Sequence, residues 1–158
     1  MKGESKVIEY LIASLRHKLT AVNQYWLHYR LLDHWGYDPL AKNWRNQSIE
    51  EMEHADDLMV RIIFLDGCPR MQLDPLHIGN TVTNILECDL RLELAARALY
   101  EEAATHCHAV RDYVSRDLFK KLMHEEEEHI DFLETQLDLV DKLGLPLYAQ
   151  YHIGKLDH

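Results

Sequence analysis

Two short stretches of this chain carry carboxylates and an imidazole at a spacing that can bind metal. "EEMEHAD" spans residues 50–56 and "EEEEHID" spans residues 125–131. In each, a glutamate precedes a histidine by three positions, Glu51 with His54 and Glu126 with His129. That spacing puts both side chains on one helix face, where they can converge on one cation. A single Glu-x-x-His is common, and on its own it is ordinarily a solvated helix face.

The two stretches belong to a longer repeat. A shift of 75 positions carries Glu50, Glu51, Glu53, His54, Asp56 and Leu58 onto Glu125, Glu126, Glu128, His129, Asp131 and Leu133. The same shift carries Leu11, Leu15, Arg16, Ala21 and Tyr25 onto Leu86, Leu90, Arg91, Ala96 and Tyr100, with Leu19 falling on Leu94. Two helical hairpins about a pseudo-two-fold axis are the natural structure for such halves. Between the Glu-x-x-His segments, Glu93 lies in the apolar run "LRLELAA", where an inward carboxylate needs a partner. Two Glu-x-x-His helices plus one glutamate from each of two others make a dimetal carboxylate centre. Such donors suit iron or manganese. The remaining acidic residues, Glu50, Glu53, Glu125, Glu127 and Glu128, read as outer charges, and Tyr25 and Tyr100 as core aromatics tied to site carboxylates.

One position breaks the pattern. The repeat calls for a carboxylate opposite Glu93 at position 18, and the residue there is Lys18. A protonated lysine has no lone pair and repels a divalent cation. Two outcomes are open: the ammonium sits among Glu51, Glu93 and Glu126, or Lys18 snorkels to solvent and leaves five ligands.

Positioning these groups requires long helices. Apolar residues at helical spacing predict helices from about Glu4 to Asp33, Pro39 to Asp66, Asn80 or Thr81 to Arg111, and Ser115 to Leu143. "GYDP" separates the first two, with Asp38 expected as N-cap and Pro39 as the first helical residue. "GCP" at 67–69 closes the second helix and "GLP" at 144–146 the fourth, while no glycine or proline marks the break between the third and fourth. Leu147, Tyr148 and Tyr151 suggest a short fifth helix. The expected fold is an all-α, ferritin-like four-helix bundle in one domain over residues 1–158, made of two hairpins and a long crossover.

Composition agrees with that architecture. The 158 residues are 47% hydrophobic and 28% charged, with only six Gly and four Pro, too few for a turn-rich all-β chain. A formal net charge of −10 argues against nucleic-acid binding. Eleven histidines favour metal chemistry, and three cysteines without a CxxC motif suggest reduced thiols. The opening "MKGESKVIEYLIASLRHK" holds no unbroken apolar run of signal or membrane length, so a cytoplasmic protein is expected.

Several motifs in order, "MKGESKVIEYL", "LTAVNQYWLHYRL", "WGY", "SIEEMEHAD", "RIIFLDG", "DYVSRDLF" and "EEEEHIDFLETQLDL", resemble the bacterioferritins along nearly the whole chain. The resemblance implies a hollow shell of twenty-four chains that stores ferric mineral and binds b-type haem between subunit pairs. Family metal ligands fall on Glu51, His54, Glu93, Glu126 and His129, and the sixth, a glutamate in the family, falls on Lys18. Met52, about 100° around the helix from Glu51, maps onto the family's axial haem ligand, one from each paired chain. The implied haem pocket is Leu19, Val22, Asn23 and Trp26 with Ile49 and Ala55, residues that also suit an ordinary apolar interface.

The first function to test is thus a haem-binding iron-storage subunit with an impaired di-iron site. It would work alone or in a mixed shell with a second, ferroxidase-competent subunit, and a ferredoxin would suit iron release. The second is an active ferroxidase, oxidising Fe²⁺ with dioxygen through the five remaining ligands. A structural or DNA-protecting shell is the third, disfavoured by the acidic charge.

Overall fold

The structure is a computed structural model and describes residues 1–153. Five helices follow one another: α1 Ser5–His34, α2 Asp38–Phe64, α3 Val82–Ala109, α4 Tyr113–Leu143 and α5 Leu145–Tyr151. α1 packs on α2 and α3 on α4, the two hairpins meet through α1 and α3, and α5 rests on α4. This is the ferritin-like four-helix bundle with a short fifth helix. No helix among the described residues is long and apolar enough to cross a membrane.

The core is divided along the bundle axis. At one end Val7, Leu11, Leu15, Leu58, Ile62, Ala103, Cys107 and Phe119 form a buried cluster. At the other, Leu32, Leu40, Trp44, Val82, Ile85, Leu86, Leu133 and Tyr148 form a second. Between them lies a buried polar layer of Lys18, Glu51, Glu93 and Glu126.

Three helix ends share one device. After α1, Gly36 takes φ 89°, its N–H bonds Asp33 O, and the Tyr37 N–H bonds Leu32 O. These are the paired hydrogen bonds of a Schellman turn, which needs one left-handed residue. Arg111, 75 positions on, takes φ 64° after α3, with its N–H on His108 O and the Asp112 N–H on Cys107 O. Asp66 does the same after α2, at φ 62°. The unmarked break is therefore the counterpart of the glycine turn, with arginine in place of glycine. The α2 start differs from expectation: Tyr37 is the N-cap and Asp38 the first helical residue, with no side-chain cap bond. The turn fixes Tyr37, whose carbonyl accepts the first helical bond from the Ala41 N–H at 2.8 Å.

The crossover lies along α1, held by residues spaced four apart. Arg16 donates to Gln72 Oε1 at 2.7 Å. Thr20 Oγ1 accepts from the Asp74 N–H at 2.9 Å, Gln24 Oε1 from His77 N–H at 3.0 Å, and His28 Nε2 from Gly79 N–H at 2.9 Å. The last three satisfy backbone N–H groups of the loop, that of the buried Gly79 among them.

Candidate metal centre and exposed methionine face

The buried layer is built by all four long helices. α1 supplies Lys18, α2 Glu51, α3 Glu93, and α4 both Glu126 and His129. Lys18 turns inward toward Glu51 and Glu126 rather than out to solvent, and Glu93 is not among its partners. Its side chain is 0% exposed and its Nζ donates to Glu51 Oε2 at 2.7 Å and to Glu126 Oε1 at 2.6 Å. Burial would strip its proton, but the facing carboxylates outweigh burial and hold the amine well above its usual range. Glu126 is likewise held below the usual carboxylate range, burial being outweighed by Lys18 and His129.

Glu93 is held from another side: Tyr25 Oη donates to its Oε1 at 2.6 Å. His129 Nδ1 lies 3.4 Å from Glu51 Oε1, 3.4 Å from Glu93 Oε2 and 3.8 Å from Glu126 Oε2. Burial depresses this imidazole's basicity, but the nearby Glu126 and Glu51 carboxylates outweigh burial and raise it. The four residues Glu51, Glu93, Glu126 and His129 can each offer one ligand atom within 4.8 Å of all the others.

His54 lies outside that group. Its Nε2 is 2.7 Å from Glu125 Oε2, and its Nδ1 has no hydrogen-bond partner among the described residues. Burial, and then the Lys18 charge, hold the ring toward its neutral form. Sequence spacing put His54 on the right face of α2, but spacing does not fix a rotamer. Gln47 was not anticipated: its Nε2 donates to Glu51 Oε1 at 3.1 Å and lies 2.7 Å from His129 Nε2. It is one helical turn before Glu51, the one signal that could have found it.

A second buried network joins α1, α2 and α3. Asp89 accepts from Gln24 Nε2 at 2.8 Å and Trp44 Nε1 at 2.8 Å, and pairs with His28 Nδ1 at 2.9 Å. Because His28 Nε2 takes the Gly79 N–H, this network fixes the crossover rather than an open site.

Around α2 from Glu51, Met52 is exposed, as are Ile49 and, on α1, Trp26 and Asn23. Val22 is half-buried beside them and lines, with Asn23 and Trp26, a hollow that reaches Ser48 and Leu76. Leu19 and Ala55 instead pack into the bundle's own core, so they back this face rather than present themselves on it.

The comparisons agree with this architecture. The ferritin-like domain model matches residues 8–143. The bacterioferritin of Brucella melitensis is 55% identical over 158 residues, covering 99% of this chain and 98% of that one. The Rhodobacter capsulatus bacterioferritin is 50% identical over 158 residues with the same coverage. A solved structure of Rhodobacter capsulatus bacterioferritin superposes with a TM-score of 0.98 at 49% identity, covering 100% of this chain and 99% of that one. That structure, at 2.6 Å, has a metal-free dinuclear site and its haem iron on a crystallographic special position. Identity at this level over essentially the full length of both chains leaves no room for a merely shared bundle architecture. The chain belongs to the bacterioferritins, iron-storage proteins with a ferritin-like domain.

Proposed function

We propose that this chain is the haem-binding type of bacterioferritin subunit: it stores ferric iron within a twenty-four-chain shell, but its own dinuclear centre is closed by Lys18. The observation that carries the proposal is the fully buried Lys18 ammonium, bonded to one oxygen of Glu51 and one of Glu126. Those carboxylates are two of the residues that would hold a pair of iron ions. A divalent ion beside the lysine would find these oxygens taken and meet a positive charge. A two-metal centre therefore does not fit these residues, and no paired oxidation of Fe²⁺ is assigned to this chain. Oxidation in a mixed shell falls to a second, ferroxidase-competent subunit.

The haem does fit the exposed face. Met52 and Ile49 on α2 and Trp26 on α1 are exposed, with half-buried Val22 beside Trp26 in the same hollow. One Met52 thioether from each of two paired chains would hold the iron on their two-fold axis. The special position of the haem iron in the Rhodobacter capsulatus protein supports that reading. When bound, haem supplies one-electron transfer; the chain's part is to orient it and exclude water.

The active-ferroxidase alternative needs His54 among the ligands, and its approach to Glu125 counts against it. The test is dioxygen-dependent Fe²⁺ oxidation by purified shells. The wild type is expected to be slow and Lys18→Glu at least tenfold faster, and rapid oxidation by the wild type would sink the proposal. For haem, Met52→Leu keeps the face apolar and should abolish the bis-thioether absorption spectrum while shells remain assembled by size-exclusion chromatography. An unchanged spectrum would reject Met52 as ligand.

A further inference from the structure

We infer that this chain binds one divalent cation where its relatives' architecture provides for two, the Lys18 ammonium acting as the second cation. The inference rests on the placement of Lys18 set out above and extends it to the half of the centre that lysine leaves open. Glu51 and Glu126 each have two oxygens. Lys18 takes Oε2 of the first and Oε1 of the second. The remaining oxygens, Glu51 Oε1 and Glu126 Oε2, lie 3.4 Å and 3.8 Å from His129 Nδ1. Glu93 Oε2 completes the set, 3.4 Å from the same nitrogen. Metal–ligand bonds of about 2.1 Å in a tetrahedral site put the ligands about 3.4 Å apart, so these nitrogen–oxygen spacings need little adjustment.

Independent support comes from an unmet need. Glu126 Oε2 is buried, on a side chain only 1% exposed, and has no hydrogen-bond partner among the described residues. An unpaired carboxylate oxygen inside a protein is costly, and a cation beside it removes the cost. Charge balance gives the same stoichiometry. Three carboxylates are neutralised by one ammonium and one divalent ion with His129 neutral, whereas a second divalent ion would leave the layer strongly positive. Two carboxylates that each face both cations also keep the ammonium and the metal from interacting through empty space.

A route to the site exists past Gln47. A hollow lined by Asn43, Gln47, Glu50, Glu128, His129 and Phe132 opens beside the imidazole. Gln47 spans Glu51 and His129 across its floor and must turn aside for Glu51 Oε1 to bind metal. The donor chemistry, three oxygens and one nitrogen, suits first-row divalent ions: Fe²⁺, Mn²⁺, Co²⁺ or Zn²⁺.

The test is metal stoichiometry on assembled, iron-free shells, with Zn²⁺ counted by equilibrium dialysis and Co²⁺ followed by its visible absorption. Wild type is expected to hold one more tight Zn²⁺ per chain than Glu93→Gln, and Lys18→Glu two more. The Co²⁺ band of a low-coordinate site should be present in wild type and lost in Glu93→Gln. Anomalous diffraction from Zn²⁺-soaked wild-type crystals, which needs no variant to fold, should give one peak among Glu51, Glu93, Glu126 and His129. No peak there, or no difference between wild type and Glu93→Gln, overturns the inference and leaves Lys18 as the closure of the dinuclear centre. Two peaks in the wild type overturn both.

Discussion

Tyr25 and Tyr100 occupy equivalent places in the two halves of the chain, yet only one has a hydrogen bond. Tyr25 donates to Glu93 at 2.6 Å, while the buried Tyr100 hydroxyl has no partner among the described residues. The reason is Lys18, which stands where the repeat would put an acceptor and turns its Nζ to Glu51 and Glu126. It leaves Tyr100 only the ammonium 5.4 Å from the ring centre, and burial pushes that phenol up to about 12. Removing each hydroxyl should thus have unequal effects. Tyr25→Phe is expected to destabilise by about 1.5–3 kcal/mol, the range for a hydrogen bond to a charged group. Tyr100→Phe should change stability by less than about 0.5 kcal/mol or raise it, because no bond is lost. Paired melting curves of the assembled variants measure the contrast, and equal losses would refute it. At this scale the sequence disclosed residue identities well. Glu51, Glu93, Glu126 and His129 are brought together as the repeat and spacing required. Rotamers were beyond it: neither the turn of His54 toward Glu125 nor the insertion of Gln47 follows from helix periodicity.

Helix ends show the same division between what periodicity reveals and what it hides. Gly36 was legible as a break because glycine takes φ > 0 without strain. Arg111 was not, since arginine in that conformation is uncommon and is held only by its surroundings. The next residue does much of the holding. Asp112 caps α4, with Oδ1 accepting from the Ser115 N–H at 3.0 Å and from Arg61 Nη2 at 2.9 Å, and Oδ2 from Ser115 Oγ at 2.7 Å. Burial alone would raise this carboxyl, but the Ser115 bonds and the Arg61 charge outweigh burial and hold it below the usual carboxylate range. A depressed folded-state pKa means the contribution is complete above the unfolded value, about 3.9, and fades as pH falls through the folded one. Asp112→Ala is therefore expected to cost about 1–2 kcal/mol at neutral pH. The gap to the wild type should narrow on acidification below about pH 4, as the native carboxylate protonates. Thermal unfolding across that range decides it, and a gap independent of pH would assign the loss to helix propensity alone. The fold as a whole needed none of this detail. Long apolar periodicity on α1 and α3, the repeat and the crossover's length already required two hairpins, whereas the Arg16, Thr20, Gln24 and His28 ladder uses polar residues that carry no hydrophobic period.

Across the whole molecule, the buried carboxylate layer and the exposed Met52 face are kept apart. The carboxylate centre is closed inside one chain, with every donor from α1 to α4 of the same bundle. The Met52 face is open, an exposed thioether with exposed Ile49 and Trp26, and in the proposed reading a second chain completes it. In the proposed shell, iron oxidation can therefore be diluted without altering haem binding. Consider shells co-assembled from wild-type chains and Lys18→Glu chains in varied proportion. Since each dinuclear centre is built by a single chain, the initial rate of Fe²⁺ oxidation should rise in direct proportion to the fraction of Lys18→Glu chains. With haem held by Met52 pairs, as proposed above, its content should stay constant across the series. A rate that grew with the square of that fraction would mean that two chains build each centre. Saturation at a small fraction would instead show that iron delivery, not the number of oxidising centres, limits the shell. Stopped-flow rates against composition, with haem measured by its absorption in the same samples, separate these cases.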